Sequence, residues 1–82
     1  MPLYFFHLLD GIESLPDREG RCLANLGTAR EVAVTEARAI IAADIMSGVI
    51  IRLDQHISIE DHAGRVLHTL NFADTVSFGS PR

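Results

Sequence analysis

The chain contains no lysine and no tryptophan, and its 82 residues include one cysteine. A lone cysteine, Cys22, excludes an internal disulfide and any Cys-pair metal motif. It reads as a small apolar filler in a short strand, in a protein of the reducing cytoplasm. Without lysine, all positive charge rests on arginines scattered along the chain. Seven basic against eleven acidic residues leave a net charge of −4. Nonspecific nucleic-acid binding depends on neutralising phosphates, so this balance argues against it. Long apolar runs are absent too. Leu3–Leu9 is too short for a secretion signal, lacks a basic flank and runs into Asp10-Gly11. Ala37–Ile51 is interrupted by Arg38, Asp44 and Gly48, which excludes a membrane span. No glycine-rich phosphate loop occurs, and Ser14, Ser47, Ser58, Ser77 and Ser80 lack a nucleophile-elbow context, so no cofactor and no catalytic residue is expected.

What is present is apolar content: 48% of residues, with a mean hydropathy of +0.20. A chain this short is one domain, 1–82, and buries only about 60–65% of the surface exposed when unfolded. Surplus apolar area in so small a domain points to a homo-oligomer, a dimer first, or to a protein partner.

One phrase occurs twice. Ser14-Leu-Pro-Asp-Arg-Glu-Gly-Arg-Cys-Leu23 and Ser58-Ile-Glu-Asp-His-Ala-Gly-Arg-Val-Leu67 share Ser, an aliphatic residue, then Asp-x-x-Gly-Arg and two apolar residues. Asp suits the first position of a tight turn and Gly the last, where a left-handed backbone costs it nothing. Each copy therefore reads as a strand, a turn and a returning strand, giving two hairpins around one helix.

Leu3–Leu9 is the first strand. Both its alternating sets, Leu3, Phe5, Leu9 and Tyr4, Phe6, Leu8, are apolar, so it is expected to be central or covered on both faces. The residues Thr28-Ala-Arg-Glu31 fit a capping box that opens a helix from Ala29 to Met46, and Ser47-Gly48 ends it. At 100° per residue Ala33, Val34, Ala37, Ile40, Ile41 and Ile45 form one stripe that should pack on a sheet. The helix back carries Val32, Thr35, Ala39, Ala42, Ala43 and Met46 in place of the usual charges, and reads as a second contact surface. Val49–Leu53 reads as a strand or an extended connector. Gln55–Glu60 and Arg65–Phe72 form the second hairpin. A four-residue loop would set Val66, His68, Leu70 and Phe72 beside Ile57 and Ile59, and a three-residue loop with a glycine bulge would set Leu67 and Thr69 there. Ala73–Phe78 could add a short strand or cover an edge, and residues 79–82 should fray. The expected fold is α+β: a small antiparallel sheet of about three to five strands with one long helix across it, in the order β-(β)-α-β-β.

The opening Pro2-Leu-Tyr-Phe-Phe-His7 with Asp10-Gly11, the pair Asp17 and Gly20, the helix residues Ala29-Arg30 and Ala33, and the closing Asp61, Gly64-Arg65, Leu70 and Phe72 follow one another in an order that resembles a family of small bacterial proteins. That family is labelled domain of unknown function 6894. Gly27-Thr28 departs from the more polar, often acidic helix entry such members show. The resemblance supports the fold and the compartment and implies no activity.

Four histidines, His7, His56, His62 and His68, invite a metal reading, but neither hairpin register converges them, and no metal is expected. Asp17–Gly20 lacks the ligand pattern of a calcium loop. The candidate contact residues are Tyr4, Phe6 and Leu8 on the first strand and Val32, Ala39, Ala42 and Met46 on the helix. The polar candidates are His7, His68 and Asp44, Asp44 lying within the apolar stripe. Three functions are weighed: a non-catalytic interaction or self-associating module; a nucleic-acid-binding module with a stripe of Arg18, Arg21, Arg52 and Arg65; and a small ligand carrier or enzyme using His7, His68 or Asp44 at a dimer interface.

Overall fold

Strand β1 (Leu3–Asp10) is the centre of the molecule in a computed structural model that describes residues 1–11, 13–77 and 79. On one side it pairs antiparallel with β4 (His56–Glu60), which pairs antiparallel with β5 (Val66–Asn71). On its other side lie two short strands, β2 (Glu13–Leu15) and β3 (Arg21–Cys22). The result is a five-stranded antiparallel sheet with a helix α1 (Leu26–Ser47) across one face and a 3-10 turn at Phe72–Thr75. The α+β architecture is as the sequence implies.

Period-two alternation places Tyr4, Phe6 and Leu8 of β1 and Ile57 and Ile59 of β4 toward the helix. The pairings Phe6 with Ile59 and Leu8 with Ile57 set these side chains shoulder to shoulder. From the helix come Ala29, Ala33, Ala37 and Ile41, all buried. Three of the four are alanines four residues apart, so the helix backbone approaches the sheet closely along that line. Phe72, from the 3-10 turn, is fully buried with them. Each large side chain fully buried there contributes about 1.5–3 kcal/mol.

Several expectations are corrected. The helix begins earlier, at Leu26, and its cap is Asn25, whose side chain accepts the Thr28 N–H at 2.9 Å. Asn is as good a cap as Thr, and an earlier start satisfies one more turn of backbone. The first copy of the repeated phrase is not a hairpin of its own. β2 and β3 both pair with β1, opposite Leu8–Asp10 and Leu3-Tyr4. They are one returning strand split by residues 16–20. Pro16 has no N–H to give a ladder, and five residues there face three of β1. β1 is central, as expected, while its second face carries no helix: Leu3, Phe5, His7 and Leu9 are half-buried. Cys22, expected inside, is exposed on the short strand β3.

In the second hairpin the turn is the three-residue glycine loop, but the side chains fall as in the four-residue reading, and Leu67 and Thr69 are not set beside Ile57 and Ile59. Gly64 has φ 82° and its N–H bonds the Asp61 carbonyl, while the Asp61 N–H bonds the Arg65 carbonyl, a three-residue loop with a left-handed glycine. A bulge then lies between Ile59 and Glu60 on the ladder, after which His68 faces Ile59 and Leu70 faces Ile57. The bulge takes up the odd residue and returns the apolar residue Leu70 to the helix face. Val49–Leu53 is a connector without regular structure. Phe78 and residues 80–82 of the expected edge cover and frayed tail lie outside the described residues, as does Ile12.

Candidate functional site

The helix outruns the sheet that supports it. Twenty-two residues of α-helix extend ~33 Å, whereas the five residues of β4 reach only ~17 Å. Its buried line stops at Ile41. One turn further on, Ile45 is 58% exposed and Met46 87% exposed. Gly48, with φ 72°, closes the helix by donating to the Ile45 carbonyl, and the Val49 N–H bonds the Asp44 carbonyl. The chain then leaves through Val49, Ile50 and Ile51, which are also exposed, Ile50 at 83%. The connector is held beyond this point. The Arg52 guanidinium lies 3.0 Å from Asp10 Oδ1 at the end of β1 and 3.3 Å from Asp54 Oδ1, and the Gln55 side chain donates to the Arg52 carbonyl. Five aliphatic or thioether side chains thus stand in water on a capped and anchored support. Scattered exposed apolar residues need no explanation, but a contiguous group does.

The contact candidates fall into two groups. Tyr4 is buried, and Phe6 and Leu8 pack against the core, so the helix takes the face of β1 on which a partner was expected. On the helix, Ala39, Ala42 and Met46 are exposed and Val32 is half-buried. Asp44 is half-buried near the helix end, and among the described residues it forms no ion pair. Ile45 was expected in the buried stripe, and Ile50 and Ile51 in a strand or connector. The signal for the projecting end was the helix length itself, set against strands too short to cover it.

His7 lies on the open face of β1, stacked on Phe5 with the ring planes 7° apart. Its Nδ1 accepts the Asp17 N–H at 3.0 Å, which leaves the proton of the neutral ring on Nε2, 3.5 Å from Glu60 Oε1. Ser58 Oγ donates to the other oxygen of Glu60 at 3.4 Å. The order is therefore His7, Glu60, Ser58. A nucleophilic serine needs the imidazole on its own oxygen, and here the carboxylate stands between them. Asp17 explains the loop instead. Its carboxylate accepts from the backbone N–H groups of Phe6, Glu19 and Gly20. Burial alone would raise the Asp17 pKa, but those three bonds and the nearby His7 outweigh it and hold the group below its usual value. An aspartate side chain thus fills the gap left in the ladder between β2 and β3.

His68 faces the helix from β5, in a groove with Arg30, Glu31 and Val34. It lies on the face opposite His7, so the polar candidates His7, His68 and Asp44 do not meet. His56 sits opposite Leu9 and Asn71, and His62 lies in the turn. Among the described residues no three histidine, cysteine or acidic side chains gather where an ion could sit. Arg21 bonds Glu36 at 2.7 Å over the Phe6 ring, and Arg52 is committed to Asp10 and Asp54. Two of the four arginines that would form a nucleic-acid stripe are therefore already neutralised. No helix among the described residues is long and apolar enough to cross a membrane.

The family model described as Domain of unknown function (DUF6894) covers residues 3–73. No curated protein and no solved structure matches the chain.

Proposed function

Since the chain belongs to the family Domain of unknown function (DUF6894), whose description carries no activity, we propose its function from its surfaces: it is a non-catalytic protein-interaction module that docks through the projecting end of α1. The observation behind this reading is the exposed group Ile45, Met46, Val49, Ile50 and Ile51. Amphipathic helix ends of this kind are received by apolar grooves on other proteins. A support fixed by the Gly48 cap and the Arg52 anchor lowers the ordering cost of binding.

The test is site-specific photocrosslinking in the native cell, with the reactive residue at position 46 or 50 and a control at Glu19. A discrete protein adduct is expected from the helix end and not from the control, and Ile45→Glu should abolish it. The same ladder from all three positions, or no adduct from the helix end, overturns the reading.

A further inference from the structure

Strand β5 is paired on one side. Among the described residues nothing bonds its outer edge, and past the bulge at Leu67 that edge carries none of the features that normally keep strands apart. Exposed edges are usually blunted by lysine, proline or an inward-facing charge. Val66-Leu-His-Thr-Leu-Asn71 contains no lysine, arginine, acid or proline. The opposite edge of the sheet is guarded: β2 and β3 are short, Pro16 interrupts them, and the Asp17 carboxylate occupies the Phe6 N–H.

The ladder fixes which backbone groups are free. The Phe72 N–H bonds the Gln55 carbonyl, so Phe72 points its amide inward toward β4. In an antiparallel pair this alternates with period two. Leu70 then also turns inward, and Thr69 and Asn71, both exposed, turn their N–H and C=O groups outward. Beside this edge, between β5 and α1, lies a groove of about 360 Å³ lined by Gly27, Arg30, Glu31, Val34, His68 and Leu70.

We infer that β5 pairs antiparallel with β5 of a second copy of the chain, making one continuous sheet through a homodimer. Thr69 then exchanges backbone bonds with Asn71 of the second copy and the reverse, while the two Leu70 side chains face each other on the helix side. A second copy is the occupant that fits for two reasons. A two-fold axis makes an uncharged antiparallel edge complementary to itself. Arg30 and Glu31 also put one base and one acid beside the groove, so it presents no single-sign charge that would repel its own copy. The extra strand covers Leu70 and the groove, burial that a chain of 82 residues has little of by itself. This inference goes beyond the docking role of the helix end and uses a different surface.

Sedimentation of the full chain across a concentration series tests it, with amide hydrogen exchange. The wild-type chain should be a reversible dimer. Thr69→Pro removes an outward N–H and leaves the β4 ladder intact, a setting in which a strand tolerates proline. Thr69→Lys places a charge on the edge without changing the backbone. Each should weaken the dimer by roughly tenfold or more with helix content unchanged, so a fold lost in the proline variant leaves the lysine variant to decide. The Thr69 and Asn71 amides should be protected in concentrated and not in dilute samples. A wild-type chain that stays monomeric overturns the inference. So does a dimer indifferent to Thr69→Lys, or protection independent of concentration, which places another segment of the same chain on the edge. The pair Met46→Glu and Ile50→Glu should leave the dimer intact. If it dissolves the dimer while Thr69→Lys does not, the contact belongs to the helix end and the edge is excluded.

Discussion

Asp17 and Asp61 open the two copies of the repeated turn, and each carries its turn on backbone hydrogen bonds. Asp61 accepts from Ala63 and Arg65, and the Arg65 bond is the first cause of its lowered pKa. Asp17 accepts from Phe6, Glu19 and Gly20, and is lowered although burial opposes it. The ordinary aspartate value is 3.8, and in the folded chain both groups lie below it. A depressed carboxylate lends stability that is complete above the unfolded value and is lost as pH falls through the folded one. Urea midpoints should therefore be flat above about pH 5 and decline below it, and the variant carrying Asp17→Asn and Asp61→Asn should show a shallower decline. At neutral pH, Asp17→Asn should cost about 1–3 kcal/mol, because one amide oxygen replaces two and an N–H group of β1 loses its charged acceptor. Gly20 has a sharper constraint. At φ 73°, an added Cβ would meet Phe5, the Tyr4 carbonyl and Leu3 at 3.0, 3.1 and 3.2 Å. Gly64 is also left-handed, at φ 82°, but nothing lies within 4 Å of its Cβ position. Gly64→Ala should cost about 1–2 kcal/mol for the backbone alone, and Gly20→Ala distinctly more in the same denaturant titration.

The helix shows how far an element can be read by itself. Its existence, its glycine stop and its apolar stripe follow from capping chemistry and a period of 3.6 residues. The cap does not, since Asn25 and Thr28 are both good caps three residues apart. Asn25→Ala should lower stability by about 1 kcal/mol, with Thr28→Ala costing less. The stripe also runs past its support. Ile41 is buried and Ile45 is 58% exposed although they are one turn apart on one face. Ile41→Ala should cost about 2–5 kcal/mol, and Ile45→Ala should stay within about 0.5 kcal/mol. Amides of the last helical turn should exchange through local fraying, well before those near Ala33 and Ala37.

At the scale of the whole molecule the described chain extends 47 × 26 × 18 Å. The helix, ~33 Å long, lies within that length and runs past its support, which leaves an apolar end in water. Because this end contributes nothing to the core, the pair Met46→Glu and Ile50→Glu should leave the unfolding free energy within about 0.5 kcal/mol of wild type while removing the docking surface. Stability and association are thereby separable on this molecule, and loss of crosslinking in a variant of unchanged midpoint reports the surface alone.

The sequence by itself determined the elements: where a central strand, a long helix and a turn must form, because alternation, capping and glycine chemistry act between neighbours along the chain. It also carried the order of motifs that marks the family. Three things were decided in the tertiary structure. The helix took the Tyr4 face of β1, which withdrew Tyr4, Phe6 and Leu8 from partners. The Asp17 loop joined β1 in place of forming its own hairpin, because the backbone it satisfies is eleven residues away. A single bulge chose the face of Leu70, since one extra residue turns every later side chain over. Each depends on which segments of the chain come to share a surface and in what register, and no local pattern encodes that.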